Sequence, residues 1–171
     1  MTPEISTLTP GIIAISGAIV LFVLASAGSA FGTGIAASAA CGAWKKCFAH
    51  NRPAPFTMVT FVGMPLTNTL YGMVLMLNII AKVNDNTLEK INAGNSWAFL
   101  AVCLVVGIVM ALASWLQARA AACACDAQGE TGQGFGNYIA AIGIIEAVTI
   151  FIFVFSLVVV GEFFPEIIEA V

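Results

Sequence analysis

The sequence predicts an all-α membrane protein of four transmembrane helices, folded as two tandem helical hairpins in a single membrane domain over residues 1–171. Composition is the first ground. The chain is 60% hydrophobic and 9% charged, with a mean hydropathy of +1.01, whereas soluble domains carry about 25% charged residues. The placement of the few charges is the second. Gly11 to Trp44, Pro53 to Ala81 and Ile91 to Ala118 carry none, and Thr131 to Gly161 carries Glu146 alone. Each run exceeds the roughly 20 apolar residues a helix needs to span a bilayer. Barrel strands would be shorter and would alternate.

The elements follow in chain order. Met1 to Pro10 carries Glu4 and no Lys or Arg, the wrong flank for a cleaved leader. The first run is therefore expected to be a retained membrane helix. Within it Gly28, Gly32, Ala36 and Ala40 recur every four residues, a small stripe that lets a neighbouring backbone approach closely. A charged loop from Lys45 to Arg52 leads into the second helix, which completes hairpin one over residues 11–81. The third helix has its own small row, Gly107, Ala111, Ser114, Ala118 and Ala122. A Gly-rich polar turn, Gln128 to Gly136, leads into the fourth helix and completes hairpin two over residues 96–162. Phe151, Phe153 and Phe155 crowd that last helix. Slim helices one and three are expected inside a tight assembly, with bulkier two and four facing lipid. A 30-residue helix is about 45 Å long against a hydrocarbon core of about 30 Å. Turns beside the first and third loops should therefore project beyond the lipid.

Charge asymmetry gives an orientation. Lys45, Lys46, Arg52 and Arg119 flank the first and third loops. Lys82 and Lys90 lie on the other side, among Glu4, Asp85, Glu89, Glu162, Glu166 and Glu169. The positive-inside rule places the first and third loops in the cytoplasm and both termini outside. There is no basic patch, so nucleic acid is not an expected partner. No GxxxxGK[ST] phosphate loop occurs, so ATP chemistry is not expected of this chain. Of the five cysteines, Cys41, Cys103, Cys123 and Cys125 sit in small apolar helical contexts. Cys123 and Cys125, two apart on a helix, point about 200° from each other, which argues against a shared metal. Cys47 and His50 fall in the charged loop, where His50 should be solvated.

A faint internal repeat relates the hairpins. Gly63-Met64-Pro65-Leu66-Thr67-Asn68-Thr69 aligns with Gly143-Ile144-Ile145-Glu146-Ala147-Val148-Thr149 at a shift of 80. The glycines and last threonines match, and Leu66 stands where the second copy has Glu146.

Glu146 is the candidate functional residue. It lies at the midpoint of its run, where a bare carboxylate costs several kcal/mol unless it is paired or neutralised. A protonated or cation-bound state is expected. Two antiparallel helices place residues at equal depth when they are equally far from the turn. Gln117 and Glu146 are equally far from the turn Gln128 to Gly136, so Gln117 should lie level with the carboxylate. The same rule levels Thr33 with Leu66 in the first hairpin, and so brings Thr67, Asn68 and Tyr71 near the depth of Glu146. Thr67 and Tyr71, four apart, share a helix face. Pro65 has no N–H and loosens the turn before it. A carboxylate, amides, a hydroxyl and a loosened carbonyl are hard oxygen ligands. They favour sodium over a proton as the ion, with no organic cofactor.

These residues carry a family resemblance. Pro65-Leu66-Thr67-Asn68-Thr69-Leu70-Tyr71-Gly72 resembles the P-x-T-Q-x-x-Y-G stretch of the proteolipid (K, or c) subunit of bacterial V-type ATPases. Ser114 to Ala122 resembles its S-Q-G-K-x-A-A-A segment, and Gly28-Ser29-Ala30-Phe31-Gly32 its G-S-A-x-G signature. The resemblance implies a duplicated double hairpin that assembles into a membrane rotor ring. It implies a stator subunit that supplies an Arg, and central-stalk subunits beneath the ring. Residue by residue it implies Glu146 as the ion-binding glutamate and Gln117 and Thr67 as side-chain sodium ligands. Met64 would lend its backbone carbonyl, and Tyr71 would hydrogen-bond the glutamate. Asn68 stands where the sodium-type family has glutamine, one methylene longer. Two other classes compete: a small dimeric cation-coupled multidrug antiporter, and a purely structural four-span protein. The antiporters usually place their glutamate in the first helix and lack a paired-hairpin repeat.

Overall fold

A computed structural model of the chain describes residues 3–85 and 93–163. Its elements are α1 (Pro3–Ala49), α2 (Met58–Gly63), a 3₁₀ turn (Met64–Leu66), α3 (Thr67–Asp85), α4 (Ala93–Thr131) and α5 (Phe135–Phe163). Four stretches are long and apolar enough to cross a membrane: Pro10–Ala49, Met58–Val83, Ser96–Thr131 and Phe135–Glu162. The protein is thus an all-α, multi-pass membrane protein. Ile91, expected to open the third run, lies outside the described residues, as do Glu89, Lys90, Glu166 and Glu169 of the orientation argument.

Two boundaries differ from the sequence reading. Helix α1 continues through Lys45, Lys46 and Cys47 to Ala49, and α4 continues through Gln128, expected to open the turn, to Thr131. Charge ends the lipid-compatible run but not the helix, because the projecting turns pack on each other. Ala36, Ala40 and Ala43 of α1 share a buried cluster with Ala121, Ala124 and Cys125 of α4 and Met58 and Phe61 of α2. Cys47, expected in a loop, is therefore a buried helical residue whose thiol donates to the Gly129 carbonyl at 3.4 Å. Lys46 bridges Asp126 at 2.8 Å and Glu130 at 3.6 Å, and Arg52 donates to the Glu130 carbonyl. His50 is exposed, with Nδ1 2.8 Å from the Lys46 carbonyl oxygen.

The helix ends have local causes. Asn51 takes the left-handed conformation (φ 51°), with Arg52 N–H on Cys47 O and Asn51 N–H on Phe48 O. That is a Schellman stop, which Asn tolerates better than other non-glycine residues. The connection from α4 to α5 shrinks to residues 132–134, because Gly132 and Gly134 adopt φ of 66° and 82°. Pro65 breaks the second span. Its missing N–H interrupts the ladder, and the chain tightens into the 3₁₀ turn before α3 resumes.

Helices α1 and α4 run parallel and almost touch. Gly17 lies over Leu100, Gly28 over Ala111, and Ala43 against Gly129. A Cβ on Gly28 would sit 2.4 Å from the Ala111 Cα, and one on Gly32 would sit 2.9 Å from the Pro65 Cβ. The stripes on these two helices are thus the contact surface that joins the hairpins. Apolar clusters fill both ends of the bundle. Toward the termini lie Ala18, Leu21, Leu75, Ile79, Phe99 and Met110, and toward the loops the alanine cluster described above. Between them is a layer of buried polar residues: Ser29, Asn68, Ser114, Gln117, Glu146 and Thr149.

Gly28→Ala should force α1 and α4 apart and destabilise the fold by about 1–3 kcal/mol, the usual cost of overpacking. Gly136→Ala, with open space at its Cβ, should be neutral or slightly stabilising. Thermal unfolding of the two variants in detergent measures the difference.

Candidate functional site

Three helices meet at Glu146. The carboxylate, on α5, is 9% exposed, so the protein shields it from lipid. Its Oε1 accepts a hydrogen bond from the Tyr71 hydroxyl of α3 at 2.7 Å. Its Oε2 lies 2.8 Å from Gln117 Nε2 of α4 and 2.9 Å from Thr67 Oγ1 of α3. Four residues scattered over the sequence thus converge on one acidic group. Thr67 and Tyr71 reach it together because they are one turn apart. Gln117 reaches it because α4 and α5 are antiparallel about a short turn.

The 3₁₀ turn sets the position of Thr67. Pro65 is buried under Gly32, which fixes the break against α1. At the end of the turn Thr67 N–H donates to the Met64 carbonyl, and Thr67 Oγ1 lies 3.0 Å from the same oxygen. Thr67 carries one hydroxyl proton, yet Oγ1 lies within bonding distance of both Met64 O and Glu146 Oε2. Two proton assignments satisfy the geometry. The hydroxyl donates to an ionised carboxylate, or it donates to Met64 O while a proton or cation bridges Oε2 and Oγ1. The Thr67 hydroxyl is therefore within reach of an acceptor whether or not Glu146 is ionised.

Tyr71 is steadied from behind by Phe153, whose ring stacks on it at 5.1 Å between centroids and an interplanar angle of 27°. The phenolic hydroxyl is thereby held on Oε1. The Gln117 amide turns Nε2 toward the carboxylate, and a half-turn of the amide would present Oε1 there instead. Glu146, Thr67, Gln117 and the Met64 carbonyl together could then surround a small hard cation with oxygen.

Asn68 is placed differently from the other candidates. It is fully buried, and its Nδ2 donates to Ser114 Oγ at 2.6 Å, on the side of α3 that faces α1 and α4. Leu66, the repeat counterpart of Glu146, is half exposed. Neither arginine of the chain faces the carboxylate. Arg119 lies over the Trp115 ring at 5.3 Å on an exposed face, and Arg52 is bound at the loop. Ser114, which bonds Asn68, and Phe153, which stacks on Tyr71, are not among the site residues the sequence predicts. A signal existed for Ser114, which stands one turn before Gln117 on the same face. Phe153 sits in an apolar run where nothing distinguishes it.

Tyr71→Phe removes one donor to the carboxylate but keeps the stack on Phe153. A hydrogen bond to a charged group contributes about 1.5–3 kcal/mol, so the ionised form should lose that support. The variant should label faster with a carbodiimide at Glu146 than the parent at the same pH, by roughly tenfold or more. Mass spectrometry of the labelled peptide measures the rate.

Residues 100–159 match the family model of the ATP synthase c subunit. The matched segment begins at Leu100 in α4 and ends at Val159 in α5, so it contains Gln117, the tight turn and Glu146. None of the curated proteins matches the chain. The family is that of a non-catalytic membrane protein which normally forms a ring with other ATPase subunits, and the match over the second hairpin supports a proteolipid of this type.

Proposed function

We propose that this chain is the proteolipid of a rotary ATPase of V type, one protomer of a membrane ring that carries one ion per protomer on Glu146. The observation that carries this reading is the convergence of Thr67, Tyr71 and Gln117 on a buried carboxylate at the middle of its span. The carboxylate is held from two other helices, and its partners can satisfy it in either charge state. The family match over the hairpin that bears Glu146 and Gln117 supports the same reading. No comparable support exists for the dimeric antiporter.

The mechanism follows from electrostatics. With a cation or proton bound, the site is neutral and can pass through lipid as the ring turns. Near the stator the ion leaves, and an Arg of that partner subunit stabilises the free carboxylate. The arginine comes from the partner because Arg119 and Arg52 of this chain are directed elsewhere. In the ring α1 and α4 form the inner layer, in line with their glycine contacts. Helices α3 and α5 form the outer layer, where Phe151 and Phe155 are largely exposed. The loop end, with Lys45, Lys46 and Arg52, faces the cytoplasm and the central stalk, and both termini face outside.

Sodium is the proposed ion, because Glu146, Thr67, Gln117 and the Met64 carbonyl supply an oxygen set. A proton is the second reading. It is favoured by one observation: Asn68 spends its amide on Ser114 and adds no ligand at the carboxylate.

Carbodiimide labelling of the purified oligomer tests the ion. Protection of Glu146 by sodium supports the sodium site, protection by rising pH alone supports the proton site, and no labelling at all refutes an ion carrier. Glu146→Gln should leave the oligomer assembled and abolish ATP-driven ion uptake into vesicles. Uptake that survives this substitution would overturn the mechanism.

A further inference from the structure

The buried polar layer extends beyond the residues that touch Glu146. Besides Thr149 Oγ1 on α5, three side-chain atoms there make no hydrogen bond among the described residues: Asn68 Oδ1, Gln117 Oε1 and Ser29 Oγ. Their residues are 0%, 1% and 1% exposed, so neither lipid nor bulk solvent satisfies them. A serine hydroxyl can turn to a carbonyl of its own helix. The two amide oxygens are acceptors and need a donor. Rotating either amide only exchanges an unpaired oxygen for an unpaired NH₂.

Helix register brings their residues to one depth. On α1 and α3, which are antiparallel, Gly32 meets Pro65 and Ala25 meets Gly72. Ser29 then falls opposite Asn68. On α4, Ser114 and Gln117 are three apart and share a face, and Asn68 is bonded to Ser114. The Gln117 amide therefore spans two environments. Its Nε2 faces the carboxylate, and its Oε1 is buried without a partner, on a residue that shares a helix face with Ser114.

We propose that a buried water is held at this junction of α1, α3 and α4 by Asn68 Oδ1, Gln117 Oε1 and Ser29 Oγ, and that it positions the Gln117 amide for the carboxylate. Two acceptor oxygens take the two protons of one water, and the serine hydroxyl donates to its lone pair. That gives three hydrogen bonds, the usual number for a buried water. While the carboxylate holds no ion, the water keeps Gln117 Oε1 away from Glu146 and an N–H donor on it; sodium binding would turn the amide and break its bond to the water. Asn68 is then a positioning residue, acting on Glu146 through the water and Gln117 rather than by ligation. The positioning role rests on Glu146 being the ion carrier, whereas the water itself does not.

A structure of the purified ring at a resolution that shows ordered water tests the site. Density bonded to Asn68, Gln117 and Ser29 is expected, and a well-ordered junction without it would overturn the proposal. Asn68→Leu should remove the density and leave the Gln117 amide free to turn. Carbodiimide should then label Glu146 several-fold faster at a given pH without sodium. Ser29→Ala removes one of three bonds, so it should retain the water and change the rate much less. Equal labelling rates in the Asn68→Leu variant and the parent would refute the positioning role. Should Asn68→Leu fail to assemble, Asn68→Ser, which keeps a polar group and leaves room for water, replaces it and should label at an intermediate rate. Density in the parent ring without any labelling of Glu146 would refute the ion-carrier reading and leave the water site standing.

Discussion

A carboxylate in the middle of a membrane span constrains everything around it. Lipid offers no hydrogen bond and no counter-ion, so the group must be satisfied by the protein, by a proton or by a bound cation. In this chain the protein supplies Tyr71 and Thr67 from α3 and Gln117 from α4. These donors sit on separate helices, so the helices must come close at one depth and stay there. The small-residue stripes serve that need. Gly28 and Gly32 bring α1 against α4 and the Pro65 turn, and the broken span lets Thr67 begin α3 at the level of the carboxylate.

The apolar clusters have a complementary role. One packs the terminal half of the bundle and the other the loop half, with the polar layer between them. Apolar side chains resemble lipid and do little to fix helix register, whereas buried polar groups tolerate only the register that pairs them. The Asn68–Ser114 bond ties α3 to α4 one turn from the Gln117 contact. The same layer therefore specifies the bundle and builds the site. At the loop end the register is repeated by Lys46 with Asp126, Arg52 with the Glu130 carbonyl, and Cys47 with Gly129. These contacts hold parallel α1 and α4 together past the end of the lipid-compatible run.

Much of this was legible in the sequence, for identifiable reasons. Four charge-poor runs give four spans because no soluble fold tolerates them. Glu146 stands out because it is the one charge in its run, and Gln117 follows from equal distance to a turn. Thr67 and Tyr71 follow from helical spacing. Helix ends were less legible. Lys45 and Lys46 mark where lipid contact stops, but lysine is a good helix former, and the packing of α1 on α4 that carries the helix onward is tertiary. Asn68 illustrates a deeper limit. Its depth was readable, but its direction depends on which of two neighbouring helices offers a partner. Ser29 and Thr149 carried no signal, since Ser and Thr in membrane helices commonly bond their own backbone.

The geometry of Glu146 also bears on the reversibility of the ion carriage proposed for it. A carrier must hold its ion in transit and surrender it at the exit, so the loaded and free states cannot differ much in energy. A carboxylate satisfied only by its cation would be left bare on release, at a cost of several kcal/mol in lipid-like surroundings. Here Tyr71 and Gln117 donate to the carboxylate. The Thr67 hydroxyl can turn from the Met64 carbonyl to Oε2 without moving its oxygen, since both lie within reach. The free carboxylate therefore keeps three donors, and ion loss exchanges one set of bonds for another within the same framework. In the proposed ring, release would then need only a modest push from a neighbouring positive charge, and rebinding would need no rearrangement of the helices. A site preorganised in this way for both states suits turnover rather than storage.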